Sequence, residues 1–232
     1  MTERRLEQIR AVSFDVGGTL ISPRPSVGAI YEEIATDFGY AGLSPDTLNA
    51  QFTAAWNRHK GHDYSLSAWA KIVNQSFAGL IPVPISKPFF ARLYQAFSDV
   101  HRWHLYEDVL PCLNHLKARG IPQVVISNWD NRLPPLLVDL GLSSYFDAIF
   151  VSGCEGFQKP DSRIFSRAAQ ALDLCADSIL HIGDSQNEDV KGAEEAGFMA
   201  LLLDRNNSTS ITENRIHSLH ELSRMIVTIS KT

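Results

Sequence analysis

Ala11-Val12-Ser13-Phe14-Asp15-Val16-Gly17-Gly18-Thr19-Leu20 is the stretch whose reading decides the fold. Its first six residues are short, mostly apolar and without clean alternation, as in a strand buried on both faces. The strand runs into two glycines, with the carboxylate of Asp15 near its end. Four later stretches repeat this pattern: Pro122–Ser127, Ala148–Ser152, Ser178–Gly183 and Phe198–Leu203. Helical patterns lie between them. Asp108–Arg119 sets Val109, Leu113 and Leu116 on one face and stops at Gly120, a good helix terminator. Asp161–Leu172 and Glu188–Ala196 behave alike, the second ending at Gly197. Alternating strands and helices predict an α/β fold, a doubly wound (Rossmann-like) parallel sheet. Sites in such sheets form at the carboxyl ends of the strands.

Residues 23–103 break that rhythm. Helical patterns such as Val27–Phe38 and Pro45–Trp56, with no strand–helix alternation, predict an all-α insertion after the first strand. Residues 1–22 and 104–232 are then the core. The Pro-rich stretch Ile81–Pro88 reads as a loop between two helices of the insertion.

With 232 residues, 44% hydrophobic and 20% charged, the chain can bury a core without disulfides or a structural metal. The formal charge of -5 is spread along the sequence, whereas nucleic-acid binders concentrate Lys and Arg, so no nucleic-acid partner is expected. No apolar run approaches the roughly 18 residues of a membrane span, so no membrane partner is expected either. Met1–Arg10 is charged and lacks a signal core, which makes the cytoplasm the expected compartment. Cys112, Cys154 and Cys175 show no CxxC spacing and are expected to be buried thiols of a reducing compartment. No feature of the sequence sets an oligomeric state.

Four separated pieces carry candidate chemistry. They are Asp15-Val-Gly-Gly-Thr19, then Ser127-Asn128, then Gln158-Lys159-Pro160-Asp161, then Gly183-Asp184-Ser185 with Asp189 five residues after Asp184. In this order, each at a strand end or helix start, they resemble the haloacid dehalogenase superfamily. The resemblance spans the chain, with 23–103 matching its helical cap of the first-insertion type. It implies a hydrolase acting on a phosphorylated small molecule, with Asp15 as covalent nucleophile and Mg²⁺ as cofactor. Elementary chemistry agrees: a carboxylate attack gives an aspartyl-phosphate that water later cleaves. Gly17 and Gly18 free the backbone to curl around a tetrahedral anion. The charge that develops on equatorial phosphoryl oxygens needs positive donors, here Thr19, Ser127, the Asn128 amide and the Lys159 ammonium. Asp184 and Asp189 are hard oxygen ligands suited to Mg²⁺, joined by Asp15 and, as the resemblance implies, the Gly17 carbonyl. Glu188 is expected only to favour a helix N-terminus.

One position departs from the pattern. Phosphatases of the superfamily carry a second Asp two residues after the nucleophile, which protonates the leaving alcohol; here that residue is Gly17. Loss of such a group removes about 10²–10⁴-fold of rate. A φ > 0 at Gly17 would also resist an Asp there, by about 1–2 kcal/mol. Replacement donors could come from His59, His62 or His101 of the insertion. A carbon–phosphorus hydrolase would instead need a cap lysine, Lys60 or Lys71, and a binding module would need no turnover. Haloacid dehalogenases of the resemblance are metal-free and lack the pair that Asp184 and Asp189 form, which makes carbon–halogen cleavage the weaker expectation. The cap supplies the face that selects the leaving group, and Trp129 and Asp130 are expected at the pocket mouth.

Overall fold

The computed structural model describes residues 8–59, 61, 63–207 and 214–226. Its strands are β1 (Ala11–Phe14), β2 (Ile21–Pro23), β3 (Trp103–Leu105), β4 (Gln123–Ser127), β5 (Ala148–Val151), β6 (Ile179–Gly183), β7 (Met199–Leu203) and β8 (Arg215–Ile216). Six of them form a parallel sheet in the order β5-β4-β1-β6-β7-β8, while β2 pairs with β3. The chain leaves β1 first toward β4 and β5, then returns to its other side for β6 and β7. The carboxyl end of β1 is therefore the switch point of the sheet, where α/β folds place ligands. Register sets Phe14 beside both Val125 and Ile182, so Asp15 emerges between the ends of β4 and β6. Every residue of β1, β4, β6 and β7 is buried, which is why these strands read as unalternated apolar runs.

The chain divides into two compact units, one formed by residues up to Ile21 and from Leu105 onward, the other by Ser22–His104. In the first, Ile164, Phe165 and Ala168 of the helix Ser162–Leu172 pack on Val124, Ile126 and Ile179 of the sheet. The helix expected from Asp108 runs Val109–Ala118, and Gly120 beyond it has φ +65°. The region read as one helix, Glu188–Ala196, differs. A wide π turn spans Gln186–Lys191, and regular helix follows only at Gly192–Glu195. The short β8 and the helix Leu219–Ile226 complete the unit without having been foreseen. The cysteines also correct expectation: Cys112 is buried, but Cys154 and Cys175 are exposed, and all three are free thiols. Neither exposed cysteine lies on an apolar face, one sitting in the short turn Ser152–Glu155 and the other preceding a 3-10 turn.

The second unit consists of the helices Val27–Asp37, Pro45–Arg58, Leu66–Phe77 and Lys87–Ala96, with a 3-10 turn at Val100–Arg102. Each helix starts at a serine, Ser26, Ser44, Ser65 or Ser86, whose oxygen accepts the otherwise orphan backbone N–H three residues on. Their apolar faces share a core in which Tyr31 stacks on Phe77 at 5.4 Å, among Ile30, Ile34, Leu48 and Phe89. The Pro-rich loop is shorter than read, because Lys87 and Pro88 already open the next helix. Proline suits a first helical turn, where its missing N–H has no partner to lose.

One buried ion pair ties the first unit together. Arg205 donates to both oxygens of Asp108 at 2.9 Å, to the Thr19 carbonyl at 2.8 Å, and lies 3.8 Å over the Tyr106 ring. Asp108 further accepts the Leu219 N–H at 2.8 Å and the Ser218 hydroxyl at 3.1 Å. Burial alone would raise the Asp108 carboxyl, but Arg205, Leu219 and Ser218 together hold it below the usual range. Asp108→Ala, which strands the guanidinium, is expected to cost about 3 kcal/mol in urea unfolding at neutral pH. A depressed native pKa stabilises above the unfolded value and is lost as pH falls through the lowered one. The native protein should therefore lose this increment below about pH 4, and the variant should show no such loss.

Candidate active site

Asp15, Ser127, Lys159, Asp184 and Asp189 come from the ends of β1, β4 and β6, from the loop before the helix Ser162–Leu172 and from the π turn, and meet at the carboxyl end of β1. Ser127 Oγ donates to Asp15 Oδ1 at 3.0 Å, and Lys159 Nζ donates to the same oxygen at 2.7 Å. Lys159 also reaches Asp189 Oδ1 at 2.5 Å. One oxygen from each of Asp15, Asp184 and Asp189 falls within a 4.8 Å cluster. Burial works against the Lys159 ammonium, yet Asp15 and Asp189 outweigh it and hold the group charged, above its ordinary range. Asp189 is likewise penalised by burial, but Lys159 and His181 keep its carboxyl well below the usual range. Asp15 goes the other way, because burial exceeds the help from Lys159 and raises its carboxyl. Asp184 keeps an exposed edge; even so its carboxyl is pushed up to about 8 by lost hydration, then by Asp15 and Asp189. Three carboxylates thus share one ammonium, and the site lacks positive charge.

The surrounding backbone explains how these groups come so close. Gly18 has φ +79°, and a Cβ there would lie 2.2 Å from Asp184 Oδ2, so only glycine fits. A Cβ at Gly183 would lie 2.1 Å from Asp189 Cγ. Gly17 differs from expectation, since the left-handed conformation belongs to Gly18; what borders Gly17 is Cζ3 of Trp129, 3.3 Å from an added Cβ. Among the described residues, no backbone donor takes the Gly17 carbonyl. Thr19 is fully buried and its hydroxyl has no hydrogen-bond partner, while its carbonyl is held by Arg205. A polar cleft of about 190 Å³ lies against Gly18 and Asp184, lined also by Tyr106, Arg205 and Asn206.

The side chain of Asn128 has a structural part in the site. It accepts the Lys159 N–H at 2.8 Å and donates to the Lys159 carbonyl at 2.9 Å, so it braces the loop that delivers the lysine. The same amide donates to Glu188 Oε2 at 3.1 Å. Glu188 is thus a half-buried part of the site's rim, its carboxyl raised by burial, rather than a mere helix-start charge. Asp130, expected beside Trp129 at the pocket mouth, is buried and accepts from Arg132 Nε at 2.8 Å and Nη2 at 2.6 Å. Trp129 is half-buried.

Sequence reasoning missed a buried chain under the site. His181 Nε2 lies 3.1 Å from Asp189 Oδ1, and its Nδ1 lies 2.9 Å from Ser13 Oγ. An ionised carboxylate only accepts, so Nε2 carries the proton and the Ser13 hydroxyl donates to Nδ1. Burial lowers the His181 pKa, consistent with a neutral ring. With the Ser185 N–H on Oδ2 at 2.9 Å, Asp189 is fixed from three sides within the π turn that carries it. A histidine in the middle of the run Ile179-Leu-His-Ile-Gly183 was the available signal, because a buried imidazole needs partners. His181→Ala should strip Asp189 of a buried hydrogen bond and cost about 1–3 kcal/mol in urea unfolding, with His181→Gln retaining part of it.

The alternative groups all fall in the stretch Ser22–His104. Lys71 is exposed on the helix Leu66–Phe77, as a solvated lysine would be, while Lys60 and His62 lie outside the described residues. His59 follows the helix Pro45–Arg58 and His101 sits in the 3-10 turn Val100–Arg102. Among the described residues no helix is long and apolar enough to cross a membrane.

Known proteins carry the same arrangement of sequence and fold. The chain matches the haloacid dehalogenase-like hydrolases over residues 9–197. It is 33% identical over 207 residues to haloacid dehalogenase-like hydrolase domain-containing protein 3 of Bos taurus, covering 84% of this chain and 82% of that protein. It is 25% identical over 227 residues to a phosphoserine phosphatase of Thermus thermophilus, covering 85% and 89%. The magnesium-bound YfnB structure from Bacillus subtilis shares the fold, with a TM-score of 0.77, 21% identity, and coverage of 94% and 98%.

Proposed function

The chain belongs to the haloacid dehalogenase-like hydrolase family, and on that premise we propose that it hydrolyses a phosphorylated small molecule, with Asp15 as nucleophile and Mg²⁺ as cofactor. The observation that carries this reading is the carboxylate cluster of Asp15, Asp184 and Asp189, only partly offset by the buried ammonium of Lys159. The unsatisfied negative charge, the carbonyl of Gly17 and a cleft with room for retained water suit a hard divalent cation. When bound, Mg²⁺ supplies positive charge to Asp15 and to the phosphoryl oxygens.

The chain's own groups then divide the work. Lys159 and Ser127 orient the Asp15 carboxylate and offset part of its burial, and a bound cation would favour its ionised form further. Asp15 attacks phosphorus, the P–O bond to the leaving group breaks, and an aspartyl-phosphate forms. Water then attacks the same phosphorus, releasing inorganic phosphate and the free carboxylate. Thr19, buried with an unpaired hydroxyl, has a hydrogen bond to offer an incoming phosphoryl oxygen. Residue 17 offers no proton to the leaving oxygen, so leaving groups that need none are the favoured substrates.

The test combines turnover with a reading that does not depend on it. Phosphate release from p-nitrophenyl phosphate or acetyl phosphate should require Mg²⁺ and stop in excess chelator. In parallel, Mg²⁺ at a hundredfold its dissociation constant should stabilise the protein by about 2.7 kcal/mol. Asp184→Asn should abolish most of that gain while raising the metal-free melting temperature, because it removes a repelled carboxylate. Turnover unchanged by chelation would overturn the reading in favour of metal-free chemistry. Phosphate binding with neither a phosphoryl-enzyme burst nor turnover would make the chain a phospho-ligand binder.

A further inference from the structure

Beside the proposed nucleophile, an indole borders the space that a side chain at position 17 would enter. The first carbon of any such side chain would meet Cζ3 of Trp129 at 3.3 Å. Apart from the chain neighbours of Gly17, no other heavy atom of the described residues lies within 4 Å of that point. What borders that point is therefore an aromatic edge, not an acid. The position of Trp129 follows from its place two residues after Ser127, whose hydroxyl already touches Asp15 at 3.0 Å.

The backbone of Trp129 is held firmly. Its N–H donates to Ser152 Oγ at 3.0 Å, and its carbonyl accepts the Ser152 hydroxyl at 2.9 Å and the Gly153 N–H at 2.9 Å. Gly153 makes this contact possible, because a Cβ there would lie 3.0 Å from both the Trp129 carbonyl oxygen and Asp130 Cα. The neighbouring Asp130 is clasped by Arg132, which fixes the next residue as well. A half-buried indole on so rigid a base behaves as a wall, since its ring can turn only about its own side-chain bonds.

We infer that Trp129 is the specificity-determining residue for the leaving group: it receives a planar aromatic group on the phosphoryl oxygen, and the preferred substrates are aryl phosphate monoesters. This rests on the phosphohydrolase reading and adds the substrate class. A planar ring gains stacking on the indole. Its phenolate is also stable enough to depart without a proton, which is what the missing acid at Gly17 requires. Small acyl phosphates satisfy the second condition but not the first.

Calorimetric binding of two unreactive probes, phenylphosphonate and methylphosphonate, in saturating Mg²⁺ tests the inference. The native protein should bind phenylphosphonate about tenfold more tightly than methylphosphonate. Trp129→Ala should lose that preference while binding methylphosphonate within about twofold of native, which also shows that the variant is folded. Trp129→Phe should keep most of the preference. Equal affinity of the native protein for both probes, or a preference that survives Trp129→Ala, would overturn the inference and leave the phosphohydrolase reading standing. Failure of the native protein to bind either phosphonate would overturn both.

Discussion

Asp15→Asn is expected to abolish hydrolysis, with a loss of at least about a thousandfold in kcat on any substrate the native protein turns over. An amide cannot form the acyl-phosphate bond, and no second carboxylate can replace it. Asp189 is pinned by Lys159, His181 and the Ser185 N–H, and Asp184 lies beside Gly18 on the exposed side of the cluster. The fold should not suffer. Burial raises the Asp15 carboxyl, meaning that its ionised form is less favourable in the native state than in the unfolded chain. For such a group, stability falls as pH rises from the ordinary carboxylate range, so at neutral pH the neutral amide relieves a cost. Lys159 keeps Asp189 as partner. The melting temperature of Asp15→Asn in metal-free buffer should therefore equal or exceed that of the native protein. Activity within tenfold of native would rule out Asp15 as nucleophile, and a collapse in melting temperature would mark it as structural.

How much of this was legible in the sequence depends on whether a residue acts through its own neighbours or through distant ones. The central strands were readable because burial on both faces leaves a plain apolar run, as in Val124-Val-Ile126 or Leu201-Leu-Leu203. Polar residues at the ends of those runs stand out by contrast, and Asp15, Ser127, Lys159, Asp184 and Asp189 do converge on one place. The brace by which Asn128 fixes Lys159 links residues 31 positions apart, and the Arg205–Asp108 pair links residues 97 apart. Neither spacing leaves a periodic mark. The π turn was hidden for a related reason. The pattern in Glu188–Ala196 is helical, but the part that carries Asp189, held by Lys159 and His181 from distant stretches of chain, runs as a π turn. Gly17 and Gly18 look interchangeable in sequence; only contacts with Trp129 and Asp184 show that one borders an aromatic edge and the other is conformationally obliged.

That distinction makes Gly17 the position where activity can be gained. Because the left-handed conformation lies at Gly18, an aspartate at 17 meets no backbone strain, and its one obstacle is the Trp129 ring at 3.3 Å. Gly17→Asp alone should push that ring by a few tenths of an ångström and place its acid imperfectly. Gly17→Asp combined with Trp129→Ala removes the obstacle. The double variant should raise kcat/KM for alkyl phosphates by up to about 10²–10⁴-fold, the range a well-placed general acid supplies. The single variant should fall short of it. The same change should flatten the dependence of log kcat/KM on leaving-group pKa, which the native protein should show steeply because nothing at residue 17 protonates the departing oxygen. Trp129→Ala alone is the needed control: within a series of aryl phosphates it should leave that slope steep, since it adds no acid. Melting temperatures of all three variants separate misfolding from misplacement. If the native protein already shows a shallow slope, a different residue donates the proton, and the glycine at 17 is then no deficit for the carboxylate of the double variant to repair.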